Sequence, residues 1–172
     1  QMTITLLDHD LVRVQHHPDG APRMDRTWTL LGPNADAPCE GRRRDDLTPF
    51  ALPKVTITET ESGAEIATDH LNLQIALDPL ALRWSDAEGR VFASDSPLRA
   101  YAYDRTSGRV YHYMDRQPNE HYYGFGECSG PLDKAGQRIS MMNVDAMGYN
   151  AEVGDPLYKH WPFYITYLPE LN

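Results

Sequence analysis

Cysteine is scarce in this chain of 172 residues: there are two, Cys39 and Cys128. They stand far apart, and neither a Cys-x-x-Cys nor a His-x-His pair occurs. The usual spacing of a zinc site or a redox dithiol is therefore excluded, and no metal and no cofactor is expected. Two unpaired thiols are the default of a reducing compartment, so the cytoplasm is the expected setting; a single disulfide closing a long loop is the alternative. Positive charge is also short. Lys and Arg number 16 against 25 Asp and Glu, a net charge of −9. A nucleic-acid partner is excluded on that balance, because neutralising phosphates takes a clustered basic face. The one basic run, Arg42-Arg43-Arg44, is followed at once by Asp45-Asp46 and reads as a solvated loop. Nothing approaches the about 20 apolar residues of a membrane helix, and the N-terminus shows no signal-peptide pattern, so no membrane partner is expected. Capped apolar stripes of helical period are missing too, which limits helix to a turn or two.

What the chain does have is alternation. VTITETESGAEIAT puts Val55, Ile57 and Glu59 in step, turns at Ser62-Gly63 and resumes at Ala64 and Ile66. LNLQIAL sets Leu71, Leu73, Ile75 and Leu77 on one face, and Asp78-Pro79 breaks the run before LALRW repeats it. SDAEG reads as a hairpin loop and RVFAS as the next strand; RVYHYMDR, YYGFGE, RISMMNV and PFYITY continue the pattern. Short alternating runs separated by turn residues are antiparallel β signals. The 13 prolines and 12 glycines fall mainly between runs, as punctuation. Residues 18–53 are the least regular, with Trp28 and Leu30 on an expected strand and PNADAPCEGRRRDD as a loop. The fold expected is all-β, an antiparallel β-sandwich of two sheets face to face. At this length one domain with a real core is expected.

Several motifs occur in order: YYGFGE at 122–127, GPLDKAGQR at 130–138, NVDAMGY at 143–149 and DPLYKHWPFYI at 155–165, with LDPLALRWSDAEGRVFASD upstream. In that order and spacing they resemble the N-terminal domain of glycoside hydrolase family 31, the α-glucosidase and α-xylosidase family. The resemblance is close over residues 55–168 and looser over the first 50. It implies a sandwich of the galactose-mutarotase kind beside a (β/α)₈ barrel that carries both catalytic aspartates. No strand-then-helix alternation of a barrel is present in this chain. Residues 1–172 are thus expected to form the N-terminal β-sandwich domain of a larger glycosidase, cut near its C-terminal end and inactive alone. The partners implied are an α-linked glucoside or oligosaccharide and the catalytic barrel of the same protein. Exposed apolar surface on PFYITY would also favour a two-fold homodimer.

The resemblance points to Asp145 for substrate contact, because the aspartate of this segment leans over the barrel mouth. The chemistry suits the role: an ionised carboxylate only accepts, so two adjacent sugar hydroxyls can both donate to it. The competing reading is a turn-forming Asp bonded to its own backbone. Tyr149, Tyr158 and Trp161 offer ring faces for a sugar; aromatic residues also fill cores and interfaces, and Trp161, opening an apolar strand, is the one most expected in a core. Glu127 and Asp133 suggest a carboxylate pair of the kind glycosidases use, but the family places its pair on the barrel, and Glu127 reads as structural, bonded to turn backbone. A mutarotase-like or stand-alone carbohydrate-binding domain is the alternative, with His112, His121, Glu120 and Glu127 as its acid and base. No residue of this chain is expected to be catalytic.

Overall fold

The computed structural model describes residues 1–33 and 36–171. In chain order the strands are β1 (Met2–Leu6), β2 (Val12–His16), β3 (Arg26–Thr27), β4 (Arg42–Arg43), β5 (Thr56–Thr60), β6 (Gly63–Ala67) and β7 (Leu71–Leu77). They continue with β8 (Leu80–Asp86), β9 (Val91–Asp95), β10 (Tyr101–Asp104), β11 (Arg109–His112), β12 (Met114–Asp115), β13 (His121–Gly126) and β14 (His160–Tyr167). Helix among the described residues is a single 3₁₀ turn, Pro169–Leu171. The chain divides into two compact units, Gln1–Asp115 and a second from Arg116 onward.

The first unit is built on a six-stranded antiparallel sheet in the order β12-β9-β8-β7-β6-β5. Sequence neighbours pair through tight turns, including one at Asp78-Pro79, whose peptide bond is cis. Registers place Ile66 opposite Leu73 and Ile75 opposite Leu82. Ile66, Leu71, Leu73 and Leu82 therefore share one face and form the buried cluster, with Leu73 fully enclosed. The separate hairpin β1–β2 contributes Ile4, Leu6, Val12 and Val14 to that cluster. Its even-numbered residues face the core, so alternation sends Thr3, Arg13 and Gln15 the other way. Burying a Leu of this kind is worth about 1.5–3 kcal/mol, and truncating it to Ala typically costs about 2–5 kcal/mol.

One carboxylate sits inside this apolar unit. Asp95, 4% exposed, accepts from the Leu82 main-chain N–H at 2.9 Å, from His112 Nε2 at 2.7 Å and from the Tyr101 hydroxyl. His112 stacks on Tyr101 at 4.6 Å between ring centroids. Three donors on one buried carboxylate are what allow it to stay there.

Two sequence expectations fail locally. Arg42 is buried rather than solvated: its guanidinium lies over Phe50 at 5.1 Å and donates to the carbonyls of Leu30, at 2.7 Å, and Asp46. The apolar stem and ring contact explain how a charge in a basic run comes to be covered. Trp28 and Leu30 form no strand. The Trp28 indole N–H instead donates to the Cys39 carbonyl at 3.2 Å. Residues 34 and 35 of the expected loop lie outside the described residues.

In the second unit β13 and β14 pair antiparallel, with a bulge between Gly124 and Gly126. There Phe125, at φ 69°, faces residues 161–163 of β14, so the extra residues lie on β14; the Phe125 ring stacks on Tyr164 at 4.9 Å. The opposite face of β14 carries Phe163 at 67% and Ile165 at 58% exposed. RISMMNV, residues 138–144, is not a strand. Its polar groups are spent locally: Ser140 N–H donates to Asp155, Met142 N–H to the Ser140 carbonyl and Val144 N–H to the Leu157 carbonyl.

Candidate functional site

The Asp145 loop is closed at its base by residues on both flanks. Asn143 Oδ1 accepts from the His160 main-chain N–H at 2.7 Å, and Val144 N–H reaches the Leu157 carbonyl at 3.2 Å. Further out, Asn150 accepts from Gly154 N–H at 2.6 Å through its carbonyl and from Glu152 N–H at 2.8 Å through its side chain. Gly148, at φ 68°, turns the tip with open space around its Cα. At that tip the Tyr149 and Tyr158 rings meet edge to face at 6.2 Å, and the Tyr158 hydroxyl donates to the Ala146 carbonyl at 3.2 Å.

Asp145 lies exposed on this frame. The carbonyl of Asp145, not its carboxylate, receives the Met147 N–H at 3.1 Å. The carboxylate itself takes no hydrogen bond from the described residues, so the turn-capping reading has no bond to support it. Trp161 stands apart from these rings at the start of β14, 51% exposed with Lys159 Nζ 5.3 Å from its ring centre. It fills no core. Among the described residues β14 pairs with β13 alone, and alternation puts Trp161 on the same exposed face as Phe163 and Ile165.

The base of the loop holds a constellation with the outline of a nucleophile triad: Cys128 Sγ is 3.8 Å from His160 Nδ1, and His160 Nε2 is 3.7 Å from Asp155. Its polarity is wrong for that chemistry. The Leu157 N–H donates to His160 Nε2 at 3.0 Å, which leaves the neutral ring's proton on Nδ1, beside the thiol. The imidazole has no lone pair there to take the thiol proton, and burial pushes the Cys128 thiol up from its ordinary range. Sequence reasoning passed over His160, although it is 6% exposed and organises the loop base.

The acid–base candidates are divided between the two units. His112 is in the first unit, tied to Asp95, whereas Glu120, His121 and Glu127 are in the second. Glu120, 6% exposed, accepts from Gln117 N–H at 2.9 Å and from the Tyr122 hydroxyl, whose pKa is pushed up to about 12 by burial and then by this bond. The turn-binding part expected of Glu127 belongs to Asp133, which accepts from His121 Nδ1 at 2.7 Å and from the N–H groups of Tyr122, at 3.1 Å, and Ala135, at 2.9 Å. Glu127 is exposed, and its main-chain N–H donates to the Lys159 carbonyl at 2.7 Å. Among the described residues no group of His, Cys, Asp and Glu is arranged to hold a metal ion.

Comparison with known proteins extends these observations. Over 112 residues, 64% of this chain and 14% of the relative, the sequence is 29% identical to alpha-glucosidase 2 of Bacillus thermoamyloliquefaciens. The fold is similar to that of the Flavobacterium johnsoniae dextranase of glycoside hydrolase family 31, solved with glucose and with isomaltotriose. That likeness has a TM-score of 0.74 at 24% identity and covers 96% of this chain and 18% of the dextranase. The family 31 alpha-xylosidase of Xanthomonas citri is similar more loosely, with a TM-score of 0.52 at 18% identity over 79% of this chain and 14% of that one. The chain thus spans less than a fifth of the length of each of these proteins. The family model for the glycosyl hydrolase 31 N-terminal galactose mutarotase-like domain matches residues 1–171, and the chain belongs to that family.

Proposed function

We propose that this chain is the non-catalytic N-terminal domain of a glycoside hydrolase that cleaves α-glycosidic bonds, of the α-glucosidase type. In this reading its Asp145 loop forms part of the rim of the sugar pocket. The substrate is an α-linked glucoside or oligosaccharide, and the reacting aspartates stand on a catalytic barrel of the same protein. The observation that carries the reading is the state of Asp145: an exposed carboxylate that takes no hydrogen bond from the described residues, on a loop whose base is tightly bonded and whose tip offers two tyrosine rings. A loop fixed at its base presents its tip without a large ordering cost on binding. An acceptor with nothing to accept from is free for sugar hydroxyls. Tyr149 supplies a ring for the apolar side of the same sugar, and Trp161 is exposed enough to supply another. The names of the relatives agree with this substrate class, since they include an alpha-glucosidase and a dextranase seen with glucose and isomaltotriose.

The test is Asp145→Ala in the intact enzyme. A hydrogen bond to a charged group is worth about 1.5–3 kcal/mol, so kcat/KM should fall by about ten- to a hundred-fold. The melting temperature should not move, because the described residues make no bond to this carboxylate. Full activity with an earlier melt would return Asp145 to a structural role.

A further inference from the structure

We propose that the first unit carries a second binding site, a cavity of about 520 Å³ that takes a small uncharged ring bearing a hydroxyl, of the phenol or cyclic alcohol class. The volume falls in the range of small-molecule pockets, about 300–1,000 Å³. Most of its wall is apolar, from Leu71, Leu82, Val14 and Phe92, with the Trp84 indole among them. A few polar side chains converge on the same space: Asp95, Tyr101, His112 and His16. Such an arrangement, an apolar wall with a small set of placed polar groups, is the usual make-up of a ligand site.

The polar groups decide the ligand. Asp95 is occupied by its three donors, including His112 Nε2 at 2.7 Å. His16 is different. Its Nδ1 is buried without a hydrogen-bond partner, and among the described residues none bonds to its Nε2, which leaves that ring nitrogen for a ligand. Burial favours the uncharged imidazole. In a neutral ring Nε2 either donates or accepts, according to the tautomer, and a hydroxyl matches both states because it can do either. A carboxylate can only accept; moreover, the lining has no Lys or Arg, while Asp10 and Asp95 supply negative charge. Anions are excluded on that ground. A free sugar is disfavoured by the wall, where most of its hydroxyls would lose water and find no partner. An aromatic or alicyclic ring fits instead, against Trp84 and Tyr101, with its hydroxyl on His16. This site lies wholly within the first unit and does not depend on the Asp145 loop.

Trp84 gives the readout, being one of three tryptophans. In a Trp28→Phe/Trp161→Phe variant its emission, excited at the red edge of the indole band, is titrated with 4-methylphenol, toluene, 4-methylbenzoate and glucose. Saturation-transfer NMR on the unsubstituted protein runs in parallel, so that damage by the tryptophan substitutions cannot be mistaken for loss of binding. The expected result is saturable binding of 4-methylphenol with a dissociation constant on the order of 1 mM, about tenfold tighter than toluene, with no saturation by 4-methylbenzoate or glucose. His16→Phe should bring 4-methylphenol down to the level of toluene. Absence of saturation with both ring compounds, equal binding of 4-methylbenzoate, preference for glucose, or unchanged discrimination in the His16 variant would each overturn the proposal.

Discussion

Asp145 and Asp133 are two aspartates in the loops of one unit with opposite bonding. The Asp145 carboxylate takes no bond from the described residues, whereas Asp133 takes three donors and its pKa is held down to about 2, first by the His121 ring and then by the N–H groups of Tyr122 and Ala135. An ordinary carboxyl in an unfolded chain titrates near about 4. The stabilisation from these bonds is therefore complete above about pH 4 and is lost as the pH falls towards 2. Asp133→Asn should lower the urea midpoint at neutral pH, and the gap to the parent protein should close between about pH 4 and 2. A gap that stays constant over that range would show that the charge contributes nothing. Sequence could not separate these two residues. Both occur beside turn formers, and the difference lies in which N–H groups the fold brings within reach. Asn143 and His160 both stand within the family motifs, but sequence reasoning assigned a role to Asp145 and none to these two, whose bonds hold the loop in place. The structural duty expected of Glu127 went to Asp133 for the same reason: turn chemistry is settled by main-chain directions that a string of letters does not display.

At the scale of elements, alternation was a sound guide where a second layer supplies a buried face. β6, β7 and β8 follow it, with Ile66, Leu73 and Leu82 inside. It misled at residues 138–144, where the pattern is present but the N–H groups bond to turns and loop carbonyls, so no ladder forms. It misled again at Trp161, because an alternating strand shows which residues share a face and not whether that face is covered. β13 and β14 depend on a bulge that only glycine permits. A Cβ on Gly126, at φ 84°, would lie 2.5 Å from the Lys159 carbonyl oxygen and 2.9 Å from His160 Cα. Both contacts are main chain and cannot swing away. Gly126→Ala should cost on the order of 2–4 kcal/mol. Hydrogen exchange should show the loss in β13 and β14 and leave β7 and β8 protected. Uniform loss across both pairs would mean that the bulge is not a local device.

For the whole molecule, the all-β antiparallel architecture was legible in the sequence, because hairpin turns and period-2 runs are local signals. The partition into two units was not, since it depends on which distant strands find each other. One face of β14 gathers Trp161, Phe163, Ile165 and Tyr167 in the open, each more than two-fifths exposed. Apolar patches of this kind tend to be covered by a partner. At micromolar concentration sedimentation equilibrium should report a two-fold dimer, and Phe163→Ser/Ile165→Ser should return it to monomer. A monomeric parent with residues 162–167 protected from exchange would count against this.

The strand order within the six-stranded sheet also bears on time. Strands β5 to β9 pair with their neighbours in sequence, so each step closes only a short loop. β13 and β14 meet across the whole of residues 127–159, and closing so long a segment loses more chain entropy before any contact repays it. The two units should therefore acquire their amide protection in sequence, with the β7–β8 ladder ahead of β13–β14 in a pulse-labelling experiment. A substitution that weakens the β7–β8 turn should slow refolding, while one in β14 should chiefly hasten unfolding. Simultaneous protection of both ladders would show that the long connection is already ordered when the first hairpins form. If the ladders do form in that order, the Asp145 loop, which lies inside the long connection, is among the last parts of the chain to take its shape.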